Sequence, residues 1–393
     1  MIHLFINALA ASAGGGRTYV RNIIPQLATQ TGVRVTIALS PDLRRELDPG
    51  SNVDFVELDM SPTRRFWYEQ YTLPELIRKS RANILLSAGN FALRKSPLPQ
   101  ILLSRNSLYL SLDFFDDLRS RGEYRMWLET RARAAIAKRS IHWADVTVAP
   151  SQAFAHDLQR WTGANIIAIH HGFDRKVFTQ DSRALSPEVR AKLDAVDGSL
   201  KILFVSHYNY YRNFETLFRA LPILRDQLPG RTVRLLLTCH LLSGTNPGSY
   251  RVDGAAQLVK TLGVSDMIVE LGAISYPTLH KLYTEADVYV TPAYTETFAH
   301  PLVEAMASGI PIVASDIAVH REICGRAATY FERFSPEVLA TCVLKIAQRD
   351  EVRKALVERG RSRADDFSWK IHVEKILELS RELANLEVSA KKR

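Results

Sequence analysis

The chain has 393 residues and a formal net charge of +9; 46% of its residues are hydrophobic and 24% are charged. This length favours two domains over one, and the apolar share is typical of a globular protein with buried cores, which excludes disorder as the general state. The longest apolar runs have the length of a strand, far below the roughly 20 residues that a transmembrane helix needs. The sequence therefore predicts no membrane-spanning helix.

The first thirteen residues are apolar, lack the basic segment of a signal peptide and run directly into Gly14. We interpret them as a first buried strand and its loop. Three widely spaced cysteines, Cys239, Cys324 and Cys342, have no metal-ligand spacing. They are typical of small buried side chains in a reducing compartment, so we expect a cytoplasmic protein.

The first half of the chain alternates short apolar runs with helical stretches. This pattern is typical of parallel strands joined by crossover helices. The predicted strands cover residues 2–7, 33–39, 84–87, 100–103 and 146–149, and the predicted helices cover residues 18–29 and 121–140.

A polar stretch between Phe178 and Ser199 interrupts this pattern, and we place a linker there. A second alternation of the same kind follows it. Its predicted strands cover residues 201–206, 233–238, 268–271, 288–291 and 312–314, and its predicted helices cover residues 214–224, 253–262, 278–285 and 301–308.

We therefore predict an α/β fold with two doubly wound, Rossmann-like domains that face a central cleft. Ligands of such sheets bind beyond the carboxyl ends of the strands. The predicted boundaries are 1–180 for the first domain, 181–199 for the linker, 200–365 for the second domain, and 366–393 for a C-terminal helix that packs back on the first domain and ends in a basic tail.

Basic and aromatic side chains are concentrated in residues 64–139, which contain fifteen Lys or Arg and seven Asp or Glu. Such a mixture suits an anionic membrane surface or an anionic acceptor, and a solvated arginine-rich face explains it equally well. The residues concerned are Arg64, Arg65, Arg78, Lys79, Arg81, Arg94 and Lys95, mingled with Phe66, Trp67, Tyr68 and Tyr71.

The most specific pattern is the run TPAYTETFAHPLVEAMASGIP, which reads as a strand end, a loop and a short helix. Pro301 is favoured at a first helical position and Gly309 just beyond a helix end. Glu296 lies in the loop and Glu304 about one turn into the helix, so both carboxylates can face the cleft. Backbone N–H groups at residues 297–300 offer an anion site, because a helix start carries about half a positive charge.

Taken alone, the two glutamates fit an ordinary capped helix with an exposed carboxylate. The surrounding pattern, however, resembles the Glu–seven residues–Glu signature of the family 4 retaining glycosyltransferases, which have the two-domain GT-B fold. The resemblance extends over nearly the whole chain. It includes Leu271-Gly272, Leu282-Tyr283 with Ala286-Asp287-Val288, Ala144-Asp145-Val146 with Pro150-Ser151, and His171-Gly172-Phe173-Asp174 with Phe178.

The resemblance implies roles for particular side chains around a nucleotide-sugar donor. Glu296 would contact the donor sugar and Glu304 its ribose, while Arg212 replaces the lysine that grips the donor phosphates in the family and suits phosphate as a bidentate donor. We predict Glu296 and Arg212 as catalytic. The predicted donor-binding residues are Glu304, Thr297, Phe298, Ala299, His300, Ser206, His207 and Ile274, with Ser206-His207 standing where the family has Gly-Arg.

A second group of candidates lies in the first half of the chain. Gly15, Gly16 and Arg17 follow the first strand, and glycines there let a backbone approach a ligand closely, although a plain tight turn explains them as well. Arg105 and Asn106 stand where the family has His-Asp or His-Asn. We predict these five residues as a phosphate or acceptor loop.

No metal site and no cofactor is predicted, since no Asp-x-Asp occurs and Arg212 with the helix start would neutralise the leaving group. The resemblance implies a retaining transferase that moves a hexose-type sugar from a nucleoside-diphosphate sugar to a saccharide or lipid-linked acceptor, in surface polysaccharide or lipid-linked saccharide synthesis. The alternatives are a nucleotide-sugar 2-epimerase and a non-catalytic sugar- or lipid-binding scaffold. Without a recognised motif, nucleic acid is not an expected partner; peripheral attachment to the inner face of a membrane is a further hypothesis.

Overall fold

The structure is a computed structural model that describes residues 1–11, 14–48, 50, 52–180 and 183–391. The chain divides into two compact units. The first unit comprises Met1–Ser111, Leu118–Gly172 and Phe367–Arg393, and the second comprises Leu112–Asp117 and Phe173–Asp366.

Each unit contains one sheet whose paired strands are all parallel. The first sheet consists of β1 (Ile2–Asn7), β2 (Val33–Leu39), β3 (Val53–Glu57), β4 (Ile84–Ser87), β5 (Gln100–Leu103), β6 (Val146–Ala149) and β7 (Ile166–Ala168). The second consists of β8 (Leu200–Phe204), β9 (Val233–Leu237), β10 (Ile268–Glu270), β11 (Val288–Thr291), β12 (Ile312–Ser315) and β13 (Ala328–Phe331).

The strand orders are β3-β2-β1-β4-β5-β6-β7 and β10-β9-β8-β11-β12-β13. In both sheets the winding reverses next to the first strand, between β1 and β4 and between β8 and β11. The predicted α/β fold with two doubly wound sheets is therefore confirmed.

Helices connect the strands and cover the sheets. They are α1 (Gly14–Ala28), α2 (Pro41–Arg44), α3 (Pro62–Tyr71), α4 (Leu73–Ser80), α5 (Leu112–Ser120), α6 (Tyr124–Trp143), α7 (Gln152–Thr162), α8 (Arg175–Gln180), α9 (Pro187–Asp194), α10 (Phe214–Gln227), α11 (Asp253–Thr261), α12 (Tyr276–Thr284), α13 (His300–Ser308), α14 (Ala318–Cys324), α15 (Pro336–Gln348), α16 (Asp350–Ala364) and α17 (Trp369–Lys391). Among the described residues, no helix is both long enough and apolar enough to cross a membrane.

The central strands β1, β4, β5, β11 and β12 are buried on both faces, which explains why their sequences are almost continuously apolar. In β1, Leu4 and Ile6 pack with apolar side chains of α1 and α17. Phe5, between them, points to the other face and packs with Leu73 and Ile77 of α4. The strand β1 thus contributes to two layers of core, as a doubly wound sheet requires.

The C-terminal helix α17 completes one of these layers in the first unit. Trp369, Val373 and Leu377 belong to the same core cluster as β1 and β4. The chain enters the helix so close to Gly172 that a Cβ atom there would lie 2.0 Å from the Trp369 nitrogen. Glycine is required at this position because the two backbones leave no space for a side chain.

Part of the predicted linker, residues 181–199, is helical in the structure. Residues 187–194 form α9, whose N-cap Ser186 accepts a hydrogen bond from the Val189 N–H. The division between the units falls at Gly172 and again at Asp366. The Ser-Pro pair that reads as a linker is also a frequent helix start, since proline is favoured at the first helical position. All three cysteines are buried and free of disulfides.

Candidate active site

The second unit carries its candidate residues on the loops that follow β8 and β11. These strands are adjacent at the point where the winding reverses, and Leu203 lies opposite Tyr289 in their register. Loops that leave such a pair at its carboxyl edge diverge to opposite faces and form a crevice. The β8 loop carries Arg212, and the β11 loop carries Glu296.

Arg212 and Glu296, 84 positions apart in sequence, form an ion pair in which Arg212 Nη1 donates to Glu296 Oε1. The two side chains are only 20% and 10% exposed. A guanidinium at this depth needs a counter-charge, because desolvating an unpaired ion is costly. The structure therefore brings the two predicted catalytic residues into direct contact.

The electrostatics of this pair keep Arg212 charged. Burial acts to lower the pKa of Arg212, but the Glu296 carboxylate outweighs it and the net pKa is raised. The Arg212 guanidinium also lies 5.1 Å from the centre of the Tyr211 ring. One of its donors, Nε, is buried and has no hydrogen-bond partner. The group thus retains unused donor capacity beside a single carboxylate.

Asn213, the residue after Arg212, ties the two loops together. Its backbone is left-handed, with φ of 54°. Its side-chain amide donates to the carbonyl oxygens of Pro292 at 3.1 Å and Arg333 at 2.6 Å. Thr216 Oγ1 donates to the Asn213 Oδ1 atom at 2.8 Å. No sequence pattern signals a role for this residue, although Asn is one of the few residues that tolerate this backbone conformation.

Glu304 lies on α13 and is 6% exposed. Burial raises the pKa of its carboxyl group to about 7, while a hydrogen bond from the Tyr283 hydroxyl to Glu304 Oε2, at 3.0 Å, opposes the rise. The charges of Arg212, Glu304 and Glu296 all act on the hydroxyl group of the buried Tyr289. Its pKa is raised, mainly by burial.

Helix α13 begins and ends as the sequence predicts, from His300 to Ser308 with Gly309 in the left-handed region after it. Its N-cap residue Ala299 has φ of 62° and makes no side-chain cap. At the predicted anion site, residues 297–300, the Thr297 N–H donates to Glu296 Oε2 at 3.3 Å, and anion binding there stays a prediction. The carboxylate of Glu296 thus serves as the hydrogen-bond acceptor of the neighbouring Thr297 amide.

Ser206 and His207, which are also predicted to bind the donor, lie in the loop after β8. Ser206 N–H donates to Thr238 Oγ1 at 3.0 Å, and Ser206 Oγ donates to the His207 carbonyl at 2.8 Å. Partial desolvation and the charge of Arg212 lower the pKa of His207, so this imidazole is neutral near pH 7. Ile274 is half-buried in the loop between β10 and α12.

Two buried residues behind the β11 loop were missed by the sequence analysis. Ser315 Oγ donates to the Ala293 carbonyl, and His320 Nδ1 lies 3.0 Å from Ser315 Oγ. Burial lowers the pKa of His320 to about 4, so its ring is neutral. Together they brace the start of the loop that carries Glu296. Neither stands in a pattern that signals this role.

In the first unit, Arg105 and the glycine-rich start of α1 come together. Arg105 Nη1 donates to the Gly15 carbonyl at 2.7 Å and Nη2 to the Ala88 carbonyl at 2.5 Å. Its guanidinium lies 5.1 Å from the centre of the Tyr19 ring. Burial lowers the pKa of Arg105 to about 10. A Cβ atom on Gly16 would lie 3.1 Å from the Ala11 Cα atom, so this glycine permits a close approach of that backbone, whereas its 3.5 Å distance from Arg105 Nη2 would be an ordinary contact.

The remaining two candidates of the first unit are engaged locally. Arg17 pairs with Glu46, which also raises the pKa of Arg17. Asn106 Oδ1 accepts a hydrogen bond from the Leu108 N–H at 3.1 Å and caps a short 3-10 turn. The structure thus brings Arg105 into contact with the glycine-rich start of α1. Arg17 instead pairs with Glu46, just after α2, and Asn106 binds its chain neighbour Leu108.

The part of the chain that the structure describes contains no group of three or more His, Cys, Asp or Glu side chains placed to hold a metal ion. Metal independence itself stays a prediction. The roles of the individual site residues likewise stay predictions, and the geometry above specifies how each can be tested.

Two family models match the sequence, one on each side of residue 180. Residues 13–177 match the model described as Glycosyltransferase Family 4, and residues 186–363 match the model described as Glycosyl transferases group 1. Together they extend over most of the chain, and both describe the same kind of enzyme.

Curated relatives agree with these models. The chain is 24% identical over 269 residues to the D-inositol 3-phosphate glycosyltransferase of Corynebacterium diphtheriae, a match that covers 66% of this chain but 61% of that relative. It is 23% identical over 398 residues to the enzyme of the same name from Corynebacterium urealyticum, which covers 95% of this chain and 92% of the relative.

Solved structures share the fold at low identity. The sucrose-phosphate synthase of Thermosynechococcus elongatus superimposes with a TM-score of 0.72 at 20% identity over 98% of this chain and 99% of that chain. Anabaena HepE, solved in complex with UDP-glucose, gives a TM-score of 0.71 at 18% identity over 98% of this chain and 100% of its own. The chain therefore belongs to the glycosyltransferase family that the two models describe, group 1 and family 4, and has the GT-B fold class.

Proposed function

We propose that this chain is a retaining glycosyltransferase that transfers a hexose-type sugar from a nucleoside-diphosphate sugar to a saccharide or lipid-linked acceptor. The observation that carries the proposal is the Arg212–Glu296 pair at the carboxyl edge of the second sheet. Its position is the one where doubly wound sheets bind nucleotides. A buried cation with spare donors there suits a diphosphate.

The pair suggests how the donor is bound. A diphosphate would bind Arg212 and replace Glu296 as its main counter-charge, which leaves the Glu296 carboxylate to accept hydrogen bonds from sugar hydroxyls. The buried Glu304 carboxylate would accept hydrogen bonds from the ribose. Because the arginine is already charged and oriented, little reorganisation is needed when negative charge develops on the leaving group.

The chemical step breaks the bond between the anomeric carbon and the diphosphate oxygen, and the electron pair stays on the diphosphate. The acceptor hydroxyl oxygen forms the new bond on the same face, and its proton passes to the departing phosphate oxygen. Retention follows because attack and departure share one face. In this scheme Arg212 supplies the stabilising charge, and the chain's own residues suffice without a metal.

The names of relatives suggest the substrates. HepE was solved with UDP and with UDP-glucose, and we propose a uridine-nucleotide hexose as the donor to be tested first. The corynebacterial relatives act on an inositol phosphate by name, so a phosphorylated acceptor deserves inclusion beside lipid-linked saccharides. We place the reaction in surface polysaccharide or lipid-linked saccharide synthesis.

The test begins with a thermal-shift screen of the full chain against UDP, GDP and ADP and their sugars, since a bound ligand raises the unfolding temperature. Release of the nucleotide is then measured with acceptors, in EDTA, and the product's anomeric configuration is read by NMR. We expect turnover in EDTA, and a reduction of about 10²-fold or more in Glu296→Gln and in Arg212→Ala. Arg225→Ala, which removes a half-exposed arginine of the same unit, is the matched control.

Each other outcome contradicts the proposal in a distinct way. Near-wild-type turnover in both variants would remove the site. A new nucleotide sugar formed without acceptor would identify an epimerase, and donor binding without any turnover would identify a non-catalytic scaffold. A product with inverted anomeric configuration would support sugar transfer but contradict the retaining mechanism.

A further inference from the structure

A groove of about 810 Å³ opens on the first unit, lined by residues of α3, α4, α6 and the segment after β4. Aromatic side chains from α3 and α6 form part of its wall: Phe66, Trp67, Tyr71 and Trp143. We call it the basic groove, because four of its other lining residues are cationic and none is acidic. None of its residues has a role in the proposed chemistry.

Two of these aromatics project into solvent. Trp67 is 60% exposed and Tyr71 is 73% exposed. Their rings stack with centroids 5.6 Å apart and planes inclined by 19°. A stacked tryptophan and tyrosine on an open surface leave a large apolar area in water. Such amphipathic rings are typical of protein that meets the headgroup layer of a membrane.

The cations of the groove are exposed and belong to no ion pair among the described residues, although Arg78 is near enough to Glu75 to help lower the pKa of that carboxyl group. They are Arg78, Arg94, Lys95 and Arg139. The ion pairs within the described ranges include none of these four side chains, and no carboxylate lines the groove. Positive charge that is not neutralised within the protein attracts an anionic surface.

Helix α6 extends this surface beyond the groove. Leu128, Ala132, Ala135 and Arg139 recur at intervals of three or four residues, so they share one face of the helix. All four are exposed, and Leu128 is 64% exposed. Leu128 therefore adds exposed apolar surface outside the groove, among further exposed arginines of α6.

We propose that the basic groove and the adjoining face of α6 dock the first unit on an anionic lipid surface. Trp67 and Tyr71 would enter the headgroup layer, and the four cations would contact lipid phosphates. Lipid headgroups are favoured over a soluble anionic saccharide because Trp67 and Tyr71 project into solvent beside the cations and Leu128 is exposed outside the groove, so apolar and cationic groups are spread over one open surface. The proposal is independent of the proposed sugar transfer.

The test is sedimentation of the full chain with vesicles of phosphatidylcholine, with and without phosphatidylglycerol, at low and high salt. We expect binding only to the anionic vesicles, weakened by salt because exposed charges are screened. Each cation removed should lower partitioning about fivefold, so Arg94→Gln/Lys95→Gln should lower it by roughly 25-fold. The double variant Trp67→Ala/Tyr71→Ala should also lower partitioning to anionic vesicles. This loss should depend less on salt, because the variant removes apolar rings and not charges.

Matched controls are Lys354→Gln and Leu386→Ala, which remove an exposed cation of α16 and an exposed leucine of α17. They should bind vesicles as the wild type does, and all variants should keep the wild-type unfolding temperature and donor binding. No binding to anionic vesicles at low salt would overturn the proposal. Two further results would also overturn the proposal. One is vesicle binding that the groove variants do not weaken, and the other is groove variants that no longer bind a soluble anionic polysaccharide but still bind vesicles.

Discussion

At the scale of single residues, the candidate site depends on charges that are buried together. Arg212 and Glu296 neutralise each other, whereas Glu304 has the Tyr283 hydroxyl as its hydrogen-bond partner among the described residues. Glu304 has a pKa raised to about 7, so its protonation changes in the range in which the enzyme would work.

This raised pKa predicts how stability depends on pH. The carboxyl group has a pKa of about 7 when folded and an ordinary value of 4.5, so the folded chain binds the proton more tightly. Its stabilising contribution is complete below about pH 4.5 and is lost as the pH rises through 7. Glu304→Gln, which keeps the oxygen that accepts from Tyr283, should therefore become more stable relative to wild type between about pH 5 and 8, by roughly 3 kcal/mol.

Thermal unfolding at a series of pH values measures this difference. Glu358→Gln is the control, because that glutamate is exposed on α16. It should follow the wild-type profile. Parallel profiles for Glu304→Gln and wild type would show that the carboxyl group titrates normally in the folded chain.

At the scale of elements, the β8 and β11 loops are held in one arrangement by Asn213. Its amide joins both loops, and its left-handed backbone turns the chain directly into α10. Arg212 precedes it, so the position of the guanidinium follows from this turn. The same logic applies to α13, whose start is fixed by the left-handed Ala299 rather than by a side-chain cap.

Two substitutions separate the contributions of Asn213. Asn213→Gly keeps the backbone conformation but removes the amide, and should cost about 1–3 kcal/mol for the carbonyls left unpaired. Asn213→Ala loses the same bonds and adds about 1–2 kcal/mol of left-handed strain. Both should weaken nucleotide binding. Unfolding in urea and titration with UDP measure the two effects, and equal stability of the variants would contradict the strain.

At the scale of the whole chain, the first unit is built from distant parts of the sequence. Residues 1–111 and 118–172 fold with residues 367–393. The apolar face of α17 closes a core that the N-terminal strands begin, and Gly172 permits the close approach of the two segments.

Gly172→Ala should therefore destabilise the first unit strongly. The added methyl group would lie 2.0 Å from the Trp369 nitrogen, so the backbone must shift and α17 must move from its core. Loss of several buried apolar side chains from a core costs several kcal/mol. Gly254→Ala is the control, because its Cβ meets no atom within 4 Å and alanine is favoured in a helix. A wild-type unfolding temperature for Gly172→Ala would contradict the predicted clash.

Sequence reasoning identified those features that local patterns encode. Apolar runs and helical stretches fixed the alternation of the two sheets, and Pro301 and Gly309 marked the ends of α13 to within one residue. The motif around Glu296 and Glu304 named the family. Short elements such as β3 and β13 were missed, since a half-buried strand of four or five residues carries too weak a periodicity.

Tertiary structure alone decided which of these residues meet. Arg212 and Glu296 are 84 positions apart, and they touch because parallel strands β8 and β11 are neighbours at the point where the winding reverses. Likewise, nothing local predicts that Asn213 bridges two loops or that Arg105 braces Gly15. A pattern in sequence reports the burial of one element, whereas contacts and pKa shifts depend on which elements become neighbours and how much water they exclude.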